Sequence, residues 1–365
     1  MSPLARGFFI CYHWNVFTAL IFFVVIGILV FVHELGHFVT AKRAGMKVEE
    51  FGFGFPPRLF GVKKGETIYS VNAIPFGGFV KIMGEDGSER DNSRSFAGRP
   101  AHIRAIVIVA GVVMNLLLAI LLLALGNAIG LRVGLDDKLT AIASDQQVQI
   151  IQVTPGSPAE EAGLKLFDAL PEFVTVTAVQ EFINANKGRA VTLQIKRGSE
   201  QLAVKLVPRS NPPPGEGAVG IALALTGVVR YPWYQAIYRG LADTYNITSQ
   251  TALGYGTIIK NLFVTGQAGA ELSGPIGIAV VTGQAVRLGF SYLLQLMALI
   301  SVNLAILNII PFPALDGGRL LFIGIEKLKG SPVPKQVEIA VNGIGFVLLI
   351  LLMFYVTVKD VIKFF

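Results

Sequence analysis

The chain has 365 residues, 53% of them hydrophobic and 15% charged, with a formal net charge of +7. A soluble globular chain carries about 25% charged residues, so this balance excludes a wholly soluble enzyme and describes a membrane protein with soluble parts. The positive charge does not indicate nucleic acid, because no block of basic residues interleaves with aromatics, and the single cysteine, Cys11, excludes a disulfide framework or a cysteine-rich zinc site.

The first apolar run, residues 15–37, is long enough to cross about 30 Å of hydrocarbon as a helix. Arg6 ahead of it imitates a secretory signal, but the run exceeds an h-region and no A-x-A-like site closes it, so a retained span is expected. Its end reads "GILVFVHELGHFVTAKR", residues 27–43, which places His33, Glu34 and His37 in an otherwise lipid-compatible helix. Ionisable groups at such depth cost roughly 2.5–3.5 kcal/mol each on insertion scales, so they require a use. Segment 38–104 follows with eleven Lys and Arg. Within it, "GETIYSVNAIPFGGFVKIMG", residues 65–84, has strand character broken by Gly77-Gly78. A second span is expected at 105–130.

A long insert, 131–290, comes next. Residues 148–209 read as a compact β-rich domain: "VQIIQV", "AVTLQIKR" and "LAVKLVPR" look like strands, and "PGSPAEEAGL" like a turn and a short helix. "NPPPGEG", residues 211–217, is expected to end that domain as a linker. Residues 231–265 suggest an amphipathic helix whose Tyr and Trp suit a membrane interface. Spans three and four are expected at 291–311 and 339–358, with loop 312–338 between them carrying Arg319, Lys327, Lys329 and Lys335. The positive-inside rule places both basic segments in the cytosol, and both termini and the insert outside. The expected organisation is therefore 1–130 (two spans with a cytosolic, membrane-associated β-region at about 45–100), 131–217, 218–290 and 291–365.

H-E-x-x-H sets two imidazoles one helical turn apart on one face, the spacing that lets both reach one tetrahedral ion. Glu34, beside them, is a carboxylate in reach of a metal-bound water, able to take its proton and pass it to a leaving amine. His13 and His102 flank spans and read as interfacial. A catalytic zinc needs three protein ligands and an open position, so the third should be a carboxylate. Asp316, in "NIIPFPALDGGRL", is the other acidic residue at a span end, and odd-numbered spans run in the same direction, so it shares a membrane side with the histidines. Pro311 and Pro313 are expected to break the third helix, and Gly317-Gly318 to let the backbone turn sharply. With Lys42 and Arg43 at the cytosolic surface, His33 lies nine residues, or roughly 13 Å, inside.

Taken together, "HELGH", "GVVMNLLLA" and "NIIPFPALDGG" resemble the site-2 protease family of intramembrane zinc metalloproteases. "FGFGFPPRLFG", "VNAIPFGGFVKIMGED" and "LSGPIGIA" are similar to its bacterial regulator-of-sigma-E protease branch, which has a PDZ insert. The resemblance implies an α-helical membrane protein with four transmembrane helices, a membrane-associated β-sheet and an inserted extracytoplasmic PDZ-like α+β domain, in a bacterial plasma (inner) membrane. It implies one Zn2+ per chain on His33, His37 and Asp316, with Glu34 as catalytic base. It also implies cleavage of single-span membrane proteins, such as anti-sigma factors or signal-peptide remnants, within or near the bilayer. For Asn303 and Asn308 it suggests contact with the substrate backbone or the oxyanion. Asn115 is a further candidate for substrate contact, against a role in interhelical hydrogen bonding. The sheet with Gly77 and Gly78 would capture the unwound substrate by β-augmentation. After "AGL" the sequence runs "KLFDALPEF", so Phe167 precedes Asp168 where this PDZ type carries glycine. That leaves both peptide binding by the groove and exclusion of bulky ectodomains by size open. Rival readings are a catalytically silent membrane adaptor, for which HExxH and LDGG would be superfluous, and an ion transporter, which calls for internal symmetry that the chain lacks.

Overall fold

The computed structural model describes residues 16–266 and 274–364; Cys11 and His13 lie outside them. Helix α1 spans Val16–Arg43, then strands β1 (Val48–Lys64) and β2 (Thr67–Ile82) precede helix α2 (Ala101–Ile129). The insert holds β3 (Leu131–Gly134), α3 (Asp137–Thr140), β4 (Ser144–Val153), α4 (Pro158–Glu161), α5 (Val176–Ala185), β5 (Val191–Arg197), β6 (Glu200–Leu206) and β7 (Ile221–Val229). Helices α6 (Trp233–Thr265), α7 (Pro275–Leu288), α8 (Phe290–Ile309), α9 (Asp316–Lys329) and α10 (Lys335–Phe364) complete it.

Four helices are long and apolar enough to cross a membrane: Phe17–Arg43, Ala101–Ile129, Phe290–Ile309 and Lys335–Lys363. These are the four expected spans, and the chain is a multi-pass membrane protein. The first continues six residues past its expected end, closing on Lys42 and Arg43, where cations favour a helix C-terminus. α10 presents Phe346, Leu351 and Phe354 outward, each more than half exposed, as a lipid-facing helix does.

The chain divides into two compact units. One holds the described residues up to Leu123, within Gly240–Gly283 and within Gln295–Phe365. In it, β1 and β2 pair antiparallel, and Phe51, Gly52 and Phe53 face two stretches of β2, residues 78–80 and 69–71. The glycine pair in β2 serves close approach, to α1 at Gly77 and to β1 at Gly78. Gly77 has φ +73°, and a Cβ there would meet the Val30 side chain at 2.6 Å; one at Gly78 would meet the Gly52 carbonyl at 2.9 Å. The sheet thus lies on the helix turn just before the histidines, with Phe51 stacked on Phe38 (4.6 Å between centroids). A buried cluster of Ala41, Met46, Val48, Ile82, Val107 and Ile323 joins the ends of α1, β1, β2, α2 and α9.

The other unit comprises Ala124–Arg239 and Gln284–Leu294. Its strands form a sheet in the order β3-β7-β4 and a hairpin β5-β6, bridged through Ala169, which pairs with both Gln149 and Lys196. The core is Val148, Ile150, Leu170, Val179, Leu193, Ile195 and Val219. Here the structure differs from the expected boundary at residue 217. β7, beyond the proline run, is the central strand of the three, and Val219 is 1% exposed in the core. Residues 211–217 are an internal loop, because β4 would otherwise have no ladder partner for its backbone groups. Phe167 occupies the left-handed region (φ +67°), as a glycine readily would, and packs against Tyr292 with the rings tilted at 60° and centroids 5.3 Å apart.

Candidate metal centre

His33 and His37 project from one face of α1, both buried, with ring centroids 4.8 Å apart and planes at 83°. Two features let α2 press against them. Gly36 sits against the Ala110 carbonyl, where a Cβ would collide, and a Cβ at Gly111 would lie 2.5 Å from His37 Nε2 and 2.7 Å from His33 Cε1. The third side chain arrives from far along the chain. α8 stops at Ile309, before Pro311 and Pro313, and Ala314 turns with φ +70° while its N–H donates to Asn342 Oδ1 (3.1 Å). Asp316 then opens α9.

The LDGG glycines were expected to provide the turn, and the structure corrects this. Gly317 and Gly318 are helical and buried, and the left-handed residue is Ala314. A Cβ at either glycine would run into the carbonyls of Ile310 or Phe312, so their role is to let α9 start directly on the preceding backbone.

Three potential ligand atoms converge. Asp316 Oδ2 is 3.0 Å from His33 Nε2 and 3.2 Å from His37 Nε2, and the two nitrogens are 3.1 Å apart. Four donors around a tetrahedral zinc, with bonds of roughly 2.0–2.1 Å, are separated by about 3.3 Å, so the spacing fits that ion. The donor set fits it too: two imidazoles and one carboxylate leave a fourth position open. Glu34, next to His33, is half-buried and within electrostatic reach of both imidazoles, Asp316 and Glu85.

α9 is strapped in place along one stripe. Arg319, one turn after Asp316, pairs with Glu85 in the turn after β2, and Glu326 pairs with Arg104 of α2 at 2.6 Å. The sequence suggests a loop over 312–338, whereas the structure forms α9 there and makes both contacts. The signal was there in the 316, 319, 323, 326 spacing of Asp, Arg, Ile and Glu, three and four residues apart as on one helix face.

The remaining candidates divide. Asn115 is fully buried, with its amide nitrogen 3.3 Å from His33 Nδ1, so it joins the histidines directly. Asn303 is engaged elsewhere: Tyr255 Oη donates to its Oδ1 (2.7 Å), and its Nδ2 donates to the Leu299 carbonyl (2.8 Å). Asn308 is half-buried in the last turn of α8, eight residues before Asp316. Gly77 and Gly78 sit against α1 near Val30 and Phe31.

Comparison with known proteins gives a consistent result. The model of peptidase family M50 matches residues 21–352. A Clostridium perfringens protein provisionally named a zinc metalloprotease is 39% identical over 344 residues, covering 92% of this chain and 95% of its own. Zinc metalloprotease RasP of Geobacillus kaustophilus is 33% identical over 429 aligned residues, 94% of this chain and 97% of that one. The regulator of sigma-W protease RasP of Bacillus subtilis is 29% identical over 438, covering 95% and 99%.

Proposed function

The chain belongs to peptidase family M50 and is an intramembrane zinc metalloprotease of regulated intramembrane proteolysis, and from that premise we propose that His33, His37 and Asp316 hold its zinc while Glu34 is the catalytic base. The observation that carries the assignment is the convergence of Asp316 Oδ2 on two Nε2 atoms, 283 and 279 residues away in the chain, at 3.0 and 3.2 Å. Bound there, zinc supplies Lewis acidity, bringing the pKa of its water to about 7. Glu34 accepts the proton of the attacking water at its carboxylate and delivers it to the leaving amine. Asn308, and Asn303 once released from Tyr255, would donate amide hydrogens to the substrate backbone or to the charge developing on the scissile carbonyl.

Substrate helices hold their carbonyls in hydrogen bonds and must be extended before attack. The outer edge of β2 at Gly78–Ile82, adjoining the histidine helix, is placed to take an extended chain by β-augmentation. The hairpin beyond exposes Phe55, Leu59 and Phe60, which suits a membrane surface. Substrates are single-span proteins, with anti-sigma factors favoured by the name of the Bacillus subtilis relative; signal-peptide remnants have the same chemistry. The insert is read as one PDZ-like domain that extends through β7, outside the membrane with both termini, and the active site faces the cytosolic side of a bacterial plasma membrane.

The test uses the full chain in detergent with a single-span substrate. Wild type should carry one zinc per chain, and Glu34→Gln should keep the metal while losing about 10²–10⁴-fold in cleavage rate. Cleavage by Glu34→Gln at the wild-type rate would overturn the assignment and leave the adaptor reading.

A further inference from the structure

Three positions on α2 touch the histidine pair, and they are spaced by four. The Val107 carbonyl accepts from His37 Nδ1 at 2.8 Å. Gly111 leaves open the space that a Cβ would take from both rings. Asn115 sets its amide against His33 Nδ1. Positions i, i+4 and i+8 share one helix face, so a single stripe of the second span lies behind both imidazoles. Each ring turns Nε2 toward Asp316 and Nδ1 toward α2.

An imidazole that binds a metal through Nε2 carries its one proton on Nδ1, and that N–H has to donate. For His37 the acceptor is a backbone carbonyl, fixed by the helix. For His33 the group in position is the Asn115 side chain, and its two ends are not equivalent. The nitrogen, at 3.3 Å, is a donor, and two donors facing each other repel. The oxygen Oδ1 is buried and has no partner among the described residues. A buried acceptor left unmade costs about 1–3 kcal/mol. A half-turn about the Cβ–Cγ bond exchanges the two ends and sets Oδ1 on the ring N–H. An amide that served only to join spans would be satisfied at both ends, as Asn303 is. Asn115 is committed at the histidine end alone. Its backbone is held as well, since Ser301 Oγ of α8 donates to the Asn115 carbonyl at 2.7 Å.

We propose that Asn115 is a positioning residue for the metal: its side-chain carbonyl accepts from His33 Nδ1–H and fixes the tautomer that turns a bare Nε2 toward the ion. With Val107 it makes the second span the outer shell of both histidines, in place of the substrate contact expected for Asn115. This inference rests on the zinc reading of His33, His37 and Asp316.

The experiment is a competition titration of zinc against a chelator, on full-length chain in detergent, for wild type, Asn115→Leu, Asn115→Asp and Asp316→Asn. Leucine has similar volume and no acceptor, so zinc affinity should fall by about 10–100-fold, the usual effect of losing an outer-shell partner. Aspartate keeps an acceptor and has no donor, so it should stay within about threefold of wild type. Wild-type affinity in Asn115→Leu, with only KM changed, would overturn the proposal and return Asn115 to the substrate. If the leucine variant does not fold, the aspartate variant decides alone, because a loss of about tenfold or more there would mean that the amide nitrogen was the working atom. Unchanged affinity in Asp316→Asn would instead sink the zinc assignment itself, whatever the Asn115 variants do.

Discussion

Asp316 and Asp168 are two carboxylates withdrawn from water, one in each unit, with opposite surroundings. Asp168 is 0% exposed and fully answered by its own chain: Arg197 donates from Nε to Oδ1 (2.7 Å) and from a terminal nitrogen to Oδ2 (2.6 Å), and the Lys165 N–H adds a third bond at 2.8 Å. The pairing in turn holds the guanidinium above its ordinary pKa, with Asp168 as the main cause. Asp316 has no such fork. Its Oδ2 faces two imidazole nitrogens, and its neighbour Arg319 is turned to Glu85. A buried charge needs a counter-charge. Asp168 finds it in the fold and is structural. Asp316 finds only two imidazoles, which fits the proposed role as a ligand to a cation from outside.

The comparison breaks most sharply at Asp316→Asn. Removing a ligand should weaken zinc by more than the 10–100-fold typical of outer-shell changes, with cleavage lost in parallel, while Asp168→Asn leaves zinc affinity where it was. Equal loss of zinc from both variants would erase the distinction. Next in size is the stability of the insert in Asp168→Asn. Breaking one partner of a buried pair typically costs about 3–5 kcal/mol, so Arg197 left alone should make residues 131–229 sensitive to limited proteolysis, with zinc still bound. A wild-type proteolysis pattern would mean that the fork contributes little. The smallest effect is expected beside Asp168, in Phe167→Gly. Glycine relieves a left-handed residue worth about 1–3 kcal/mol of strain but gives up the Tyr292 contact, worth about 0.5–1.5 kcal/mol beyond its area. Thermal unfolding of the insert should therefore move by the equivalent of about 1 kcal/mol or less. A large destabilisation would show that the aromatic contact, and not the fork, holds this corner.

Much of the candidate site was legible in the chain. The i, i+4 spacing of His33 and His37 depends only on helix geometry, and Asp316 follows from the parity of four apolar runs and a proline break. Hydropathy found the spans because lipid imposes one simple rule on every turn. It failed where burial is decided by partners. β7 was missed because a proline run suggested an ending, and "IALALTGVV" became a central strand only because β3 and β4 flank it. α9 was missed because its apolar stripe is short and is anchored by Arg104 and Glu85, more than 200 positions away in the sequence.

By itself the sequence determined four membrane-length helices, two imidazoles on one helix face and a carboxylate on the same membrane side, since each of these follows from local geometry or from counting crossings. Tertiary structure alone decided which atoms meet: Oδ2 of Asp316 on both Nε2 atoms, the Val107 carbonyl on one Nδ1, and the Asn115 amide on the other. Those contacts depend on how closely α1 and α2 approach, to within the width of the missing side chains at Gly36 and Gly111, and on α9 starting directly on the preceding backbone at Gly317 and Gly318. A local pattern shows that a glycine is present; only the packed helices show what stands in the space it leaves.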